Sequence, residues 1–275
     1  MNTNLVKAGA ESPVLSLLER LPVLSFYAKT RGWHYVISWC NRIAGLLLVI
    51  WLWLHIYFLA FLYTPSTYDG NMKIFRYFIF AFLQWILSLP VIFHAFNGGR
   101  LILYEVFGKR NDETMVRWMF GLSGLYIGLV GLFMIMGNQS ASPFFFWLLM
   151  LLTALICGYG VARKLWHSEH SIFWKLQRIS GAFLLVLVPA HLLFMHLNPS
   201  VAMEASVVIE RMQNWFIKAV DLILVVAALY HGGYGLFSVL SEYLSSRILR
   251  RGLVCIVAFI TFIFAWIGIR LILTV

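Results

Sequence analysis

The sequence predicts an all-α protein: a polytopic transmembrane helical bundle of about seven spans, built from a parallel internal duplication plus one linking helix. Three observations carry that expectation: the composition, the long apolar stretches, and a set of residues that recurs at a constant offset. Of 275 residues, 61% are hydrophobic and 12% charged, and the mean hydropathy is +0.84. A soluble domain is about half apolar and a quarter charged, so an ordinary water-soluble enzyme is excluded. Intrinsic disorder needs low hydrophobicity and is excluded too. The cysteines Cys40, Cys157 and Cys255 are scattered and odd in number, which leaves no disulfide scaffold.

No charged segment followed by an apolar run and a small-residue cleavage site is read near the amino terminus, so no secretory signal is expected. Ser12 before Pro13 has the signature of an N-cap and first turn, and the stretch to about Tyr27 is expected to be a short amphipathic helix at the interface. A spanning helix needs about 20 mainly apolar residues. Seven stretches qualify: 36–62, 74–106, 116–137, 144–165, 172–197, 214–244 and 251–273. Threaded this way, one side receives sixteen of the 21 Lys and Arg residues and the other five. Basic residues accumulate on the cytoplasmic side, which places the amino terminus inside and the carboxy terminus outside. The net charge of +10 then belongs to a face that meets anionic lipid or an acidic partner, and it requires no nucleic acid.

The third observation is internal. Arg42-Ile43-Ala44-Gly45 precedes His55, and Arg178-Ile179-Ser180-Gly181 precedes His191, with thirteen positions from arginine to histidine in both cases. In the following span of each half, His94 precedes Gly98 by four and Glu105 by eleven, while His231 precedes Gly235 by four and Glu242 by eleven. The halves are offset by 136 or 137 positions throughout, as expected of one ancestral unit used twice. The chain therefore divides into an interfacial segment 1–35, a first three-helix unit 36–137, a linking helix and loop 138–171, and a second three-helix unit 172–275. The linking span brings both units back to the cytoplasmic side.

At a rise of about 1.5 Å per residue, His55 and His191 lie roughly 28 Å along their helices from the cytoplasmic end, and His94 and His231 roughly 18–20 Å from it. The histidines thus fall into two pairs by level, each with one member from each half. An ionisable side chain in hydrocarbon is costly and marks a site, and two imidazoles facing across a helical bundle suit an iron porphyrin. Gly98 and Gly235 leave room for a flat macrocycle. With no Cys-x-x-Cys-His, the expectation is two b-type haems without thioether links: His94 with His231 on the inner one, His55 with His191 on the outer one. A lone intramembrane histidine is more often an interhelical hydrogen-bond partner, but four at matched positions reverse that weighting. No carboxylate or cysteine neighbours suggest zinc instead. His34, His167, His170 and His196 fall at span ends or in loops and are expected to be interfacial. A different haem b anchor, serving another quinone-linked dehydrogenase, and a non-haem duplicated transporter are the competing readings at this point.

These motifs resemble the membrane anchor of succinate dehydrogenase and fumarate reductase, of the single-chain dihaem cytochrome b type. Ser38-Trp-Cys-Asn-Arg42 is similar to the Ser-x-x-x-Arg opening of the family's first helix, and His94-Ala-Phe-Asn-Gly98-Gly-Arg100 to its His-x-x-x-Gly-x-Arg segment. His231-x-x-x-Gly235 leading to Glu242-Tyr243 resembles its second haem-ligand helix, which ends in an Asp-Tyr pair. The chain departs from the pattern in the helical pair 116–165, in Glu242 where aspartate is usual, in Asn41 where a histidine is common, and in lacking a serine four before Arg178.

The resemblance implies electron transfer between a docked iron–sulfur subunit and membrane quinone, menaquinone rather than ubiquinone, with dicarboxylate chemistry in a flavoprotein subunit. The sequence agrees with that division. It has no G-x-G-x-x-G fingerprint and no cysteine cluster, so FAD and iron–sulfur clusters belong to partner subunits on the cytoplasmic face. By the same resemblance Ser38, Arg42, Glu242 and Tyr243 are quinone-pocket candidates. Arg42 alternatively clamps a haem propionate, and Glu242 alternatively pairs with Arg247. Arg178, Arg100, Glu105 and Asp221 are candidates for holding propionates or moving protons. Glu105 is about 20° around its helix from His94, and Asp221 is expected to pair with Lys218. Pro90 and Pro189 should kink their helices.

Overall fold

The computed structural model describes residues 20–109, 111–136, 142–197 and 200–275. The described residues form helices α1 (Pro22–Arg31), α2 (Trp33–Leu59), α3 (Pro65–Met72), α4 (Phe78–Glu105), α5 (Asp112–Met136), α6 (Pro143–Leu165), α7 (Ile172–Leu197), α8 (Ser200–Met203), α9 (Ala205–Met212), α10 (Trp215–Ser241) and α11 (Arg247–Thr274). Seven of them, α2, α4, α5, α6, α7, α10 and α11, are long and apolar enough to cross a membrane. Ser12 and Pro13 lie outside the described residues. Within the described part of that stretch, Leu21 is extended and α1 begins at Pro22, running past Tyr27 to Arg31, where Gly32 ends it. Gly32 has φ +84°, a backbone that glycine adopts without steric cost, and there the chain turns from α1 into α2.

Local chemistry sets the other boundaries. Pro65 and Pro143 occupy the first turns of α3 and α6, where the missing N–H costs nothing. Asn214 caps α10, its side-chain oxygen accepting from the N–H groups of Phe216 and Ile217 at 2.9 and 3.4 Å. Asp112 and Glu113 begin α5, and Arg163 and Lys164 end α6, both in the sense the helix dipole favours. Pro90 and Pro189 lie inside α4 and α7, which continue through them. The Tyr126 hydroxyl donates to the Pro189 carbonyl and ties α5 to α7.

Four helices form a ring in which α2 packs on α4, α4 on α7, α7 on α10 and α10 on α2. Ring neighbours run antiparallel, so the parallel pairs α2 with α7 and α4 with α10 occupy the diagonals. The remaining spans sit outside: α5 against α4 and α7, α11 against α10 and α2, and α6 against α7 and α10. Their outer faces present large apolar side chains such as Phe145, Ile156 and Phe262, a surface suited to lipid and not to water.

The end where α2 and α7 begin is called inner, and the other outer. The outer end carries short helices that the span-length argument does not anticipate. Ala205, Val208 and Met212 are buried along one face of α9 at the spacing of an amphipathic helix, and they pack with Leu62 and Tyr68. The Tyr68 hydroxyl donates to the Ala202 carbonyl at 2.7 Å, and the Ala205 N–H donates to Asp69 at 2.8 Å. Burial pushes the Tyr68 phenol up to about 12, so it remains a donor. Connections from the two halves of the chain thereby lock onto each other as a cap.

Candidate functional site

The four ring helices bring His55, His94, His191 and His231 to a cavity of about 800 Å³ that runs through the ring, within the size range of cofactor sites. His94 on α4 faces His231 on α10 with ring centroids 6.3 Å apart, and His55 on α2 faces His191 on α7 at 6.1 Å. Both pairs span a diagonal of the ring. An iron bonded to both members of a couple at about 2 Å would separate their ring centroids by roughly 6 Å. The spacing of both pairs therefore suits one iron between two imidazoles. Among the described residues, no three His, Cys, Asp or Glu side chains cluster as a zinc cage needs.

The surroundings of the inner pair orient its rings. His94 Nδ1 lies 3.3 Å from the Asn41 carbonyl, and His231 Nδ1 lies 3.3 Å from the Ser180 hydroxyl. A hydrogen bond at Nδ1 selects the tautomer whose Nε2 lone pair is free for a metal. The Gln177 amide nitrogen is 3.5 Å from His231 Nε2, close enough to compete for it. The His191 Nδ1 is buried with no hydrogen-bond partner among the described residues.

Glycines shape the same space. A Cβ at Gly45 would meet His94 Cε1 at 3.1 Å, and one at Gly181 would meet His231 Cε1 at 3.1 Å. The Arg-x-x-Gly segments thus seat the histidine of the next spanning helix of their own half. That role was missed in the sequence, although the repeated spacing held the signal. Gly98 and Gly235 line the cavity as expected, with open space beside Gly98 and the Gln177 amide 3.5 Å from a Cβ at Gly235.

At the inner end two ion pairs cross between the halves. Arg42 on α2 binds Glu242 at 2.8 Å, and Arg178 on α7 binds Glu105 at 2.7 Å. Arg42 also donates to the Tyr243 hydroxyl at 3.3 Å and lies over Trp39, while Arg178 stacks on Trp174 at 4.8 Å. Glu242 therefore does not pair with Arg247, and Glu105 turns to Arg178. Both arginines line the cavity; Ser38, Glu242, Tyr243 and Glu105 do not. Ser38 is exposed one turn before Arg42.

Three expectations are corrected. Arg100 does not line the cavity. It is nearly buried against Asp112 and Asn97, because its position on α4 faces α5. Asp221 pairs with Arg211 of α9 at 3.5 Å and not with Lys218, both partners being only 14% exposed. His196 is not interfacial: it lines the outer part of the cavity, as do Arg211 and Asp221, and its Nδ1 donates to the Leu192 carbonyl at 2.7 Å. His34 remains half exposed against Asp112, and His170 stacks on Trp174.

Residues 21–135 and 158–266 match the model of the succinate dehydrogenase/fumarate reductase transmembrane subunit, nearly equal stretches with one in each half. The chain is also 31% identical over 106 residues to the succinate dehydrogenase 2 membrane subunit SdhC of Mycobacterium tuberculosis, an overlap covering 37% of this chain and 75% of that relative. No solved structure matches it. Seven apolar spans and the extent of the family match together make the chain an integral membrane protein that belongs to the succinate dehydrogenase/fumarate reductase transmembrane subunit family.

Proposed function

We propose that the chain is the dihaem cytochrome b anchor of a succinate:quinone oxidoreductase, passing electrons between a docked iron–sulfur subunit and membrane quinone. The observation that carries this reading is the pair of histidine couples, 6.3 and 6.1 Å apart, on crossing diagonals of one cavity. His94 and His231 hold the inner haem b, and His55 and His191 the outer. Bound there, each haem supplies a one-electron site, and the two levels form a path through the bilayer. The protein's own part is to hold the four rings in place and keep water from them.

The inner end takes the quinone, with menaquinone favoured. Trp39 and Tyr243, whose rings are 6.4 Å apart, offer an aromatic wall for a quinone ring. Arg42 and the Tyr243 hydroxyl supply donors to ring oxygens, Ser38 adds a hydroxyl one turn away, and Glu242 exchanges protons. On the far side of the same end Arg178, held by Glu105, lines the cavity and is placed for an inner haem propionate. This orientation puts the inner end at the cytoplasm of a bacterial inner membrane, where flavoprotein and iron–sulfur subunits dock; dicarboxylate catalysis and FAD reside in them. A haem count per chain with a redox titration tests the proposal. Two haems b of distinct potential are expected, and a purified chain without reduced haem b absorption would overturn it.

A further inference from the structure

Arg211 is the cavity-lining arginine whose donors are left underused. A guanidinium carries five N–H donors in a planar fork. Among the described residues, those of Arg211 find the Asp221 carboxylate at 3.5 Å and the Met195 sulfur at 3.9 Å, and its Nε has no partner. The inner arginines differ: Arg178 meets Glu105 through two nitrogens at 2.7 and 2.8 Å, and Arg42 has both Glu242 and Tyr243. A guanidinium only 14% exposed with one long carboxylate contact is poorly compensated for its lost water. Its place in the cavity wall, which Tyr68 of the cap and His191 also line, is where an anionic group would complete it.

We infer that Arg211 binds a propionate carboxylate of the outer haem, and that Asp221 positions the guanidinium while weakening its positive field. The inference rests on the two-haem reading. Oxidised haem carries one more positive charge than reduced haem, so a cation at its edge favours the reduced form and removal of that cation favours the oxidised one. If Arg211 and Asp221 only fasten α9 to α10, loss of either destabilises the fold and leaves the outer potential where it was.

The experiment is a redox titration of the purified complex, with resonance Raman spectra of the propionate bending band, on R211Q, R211K and D221N. R211Q should move the outer haem's redox equilibrium at least tenfold toward the oxidised form, equivalent to 59 mV for one electron, and shift the propionate band. R211K keeps the charge but loses the fork, so it should restore most of the potential and leave the band shifted. D221N should move the potential the other way. The inner haem, unchanged in all three, reports that the bundle has folded. An outer potential and propionate band unaltered in both R211Q and R211K would overturn the inference. A wild-type complex with a single haem, ligated by His94 and His231, would overturn the reading beneath it and this inference with it.

Discussion

The two crossed ion pairs at the inner end share a plan and differ in surroundings. In each, an arginine from the first long helix of one half meets a glutamate from the second long helix of the other half, and a tryptophan lies beside the guanidinium. Around Arg42 the glutamate is 50% exposed and is followed by Tyr243, which adds a hydroxyl within reach. Around Arg178 the glutamate is 32% exposed and is followed by the buried Val106. A pair that is open and carries a spare hydroxyl suits an exchanging ligand. A pair that is closed and bonded through two nitrogens suits a permanent clamp between helices.

The largest effect tests what both pairs sit above. His94→Ala or His231→Ala should remove the inner haem entirely and leave the outer one, read as a halved haem content in a pyridine haemochrome assay; full content in both variants would break the ligand pairing. The next separates the twins. Glu242→Gln should lower quinone turnover by about 100-fold with haem content normal, on the scale of a lost acid–base group, whereas Glu105→Gln should leave turnover within a few-fold and loosen the fold. Equal losses in the two variants would erase the distinction between the two ion pairs. The smallest concerns the feature the halves share most closely. Gly45→Ala and Gly181→Ala each press a methyl against a histidine ring, an overpacking of about 1–3 kcal/mol, and both should reduce inner haem occupancy while sparing the outer. Full inner occupancy in both would show that the rings yield freely.

Most of the fold was legible because the bilayer imposes one length requirement on every span, and an apolar run of sufficient length meets it whatever its neighbours. The four histidines stood out for a related reason: each is an expensive residue deep in an apolar span, at a position matched in the other half. Side-chain partners across helices were less legible. An offset of 136 or 137 positions says which residues are equivalent, but not that α2 and α7 face each other diagonally, so the crossing of Arg42 to Glu242 and Arg178 to Glu105 had to come from packing. Helical spacing pairs Asp221 with Lys218, yet its partner Arg211 sits on α9, a helix too short for a span criterion to register. Arg100 shares a motif with His94 but lies on another side of α4, where Asp112 claims it.

The diagonal placement of the histidine couples has a mechanical consequence. Iron held by each couple would act as a strut, one joining α4 to α10 and the other joining α2 to α7, so that together they brace the ring as crossed ties brace a square frame. Because each tie joins one half of the chain to the other, maturation of the bundle would be coupled to cofactor loading, and loss of one group would leave a frame free to shear along the opposite diagonal.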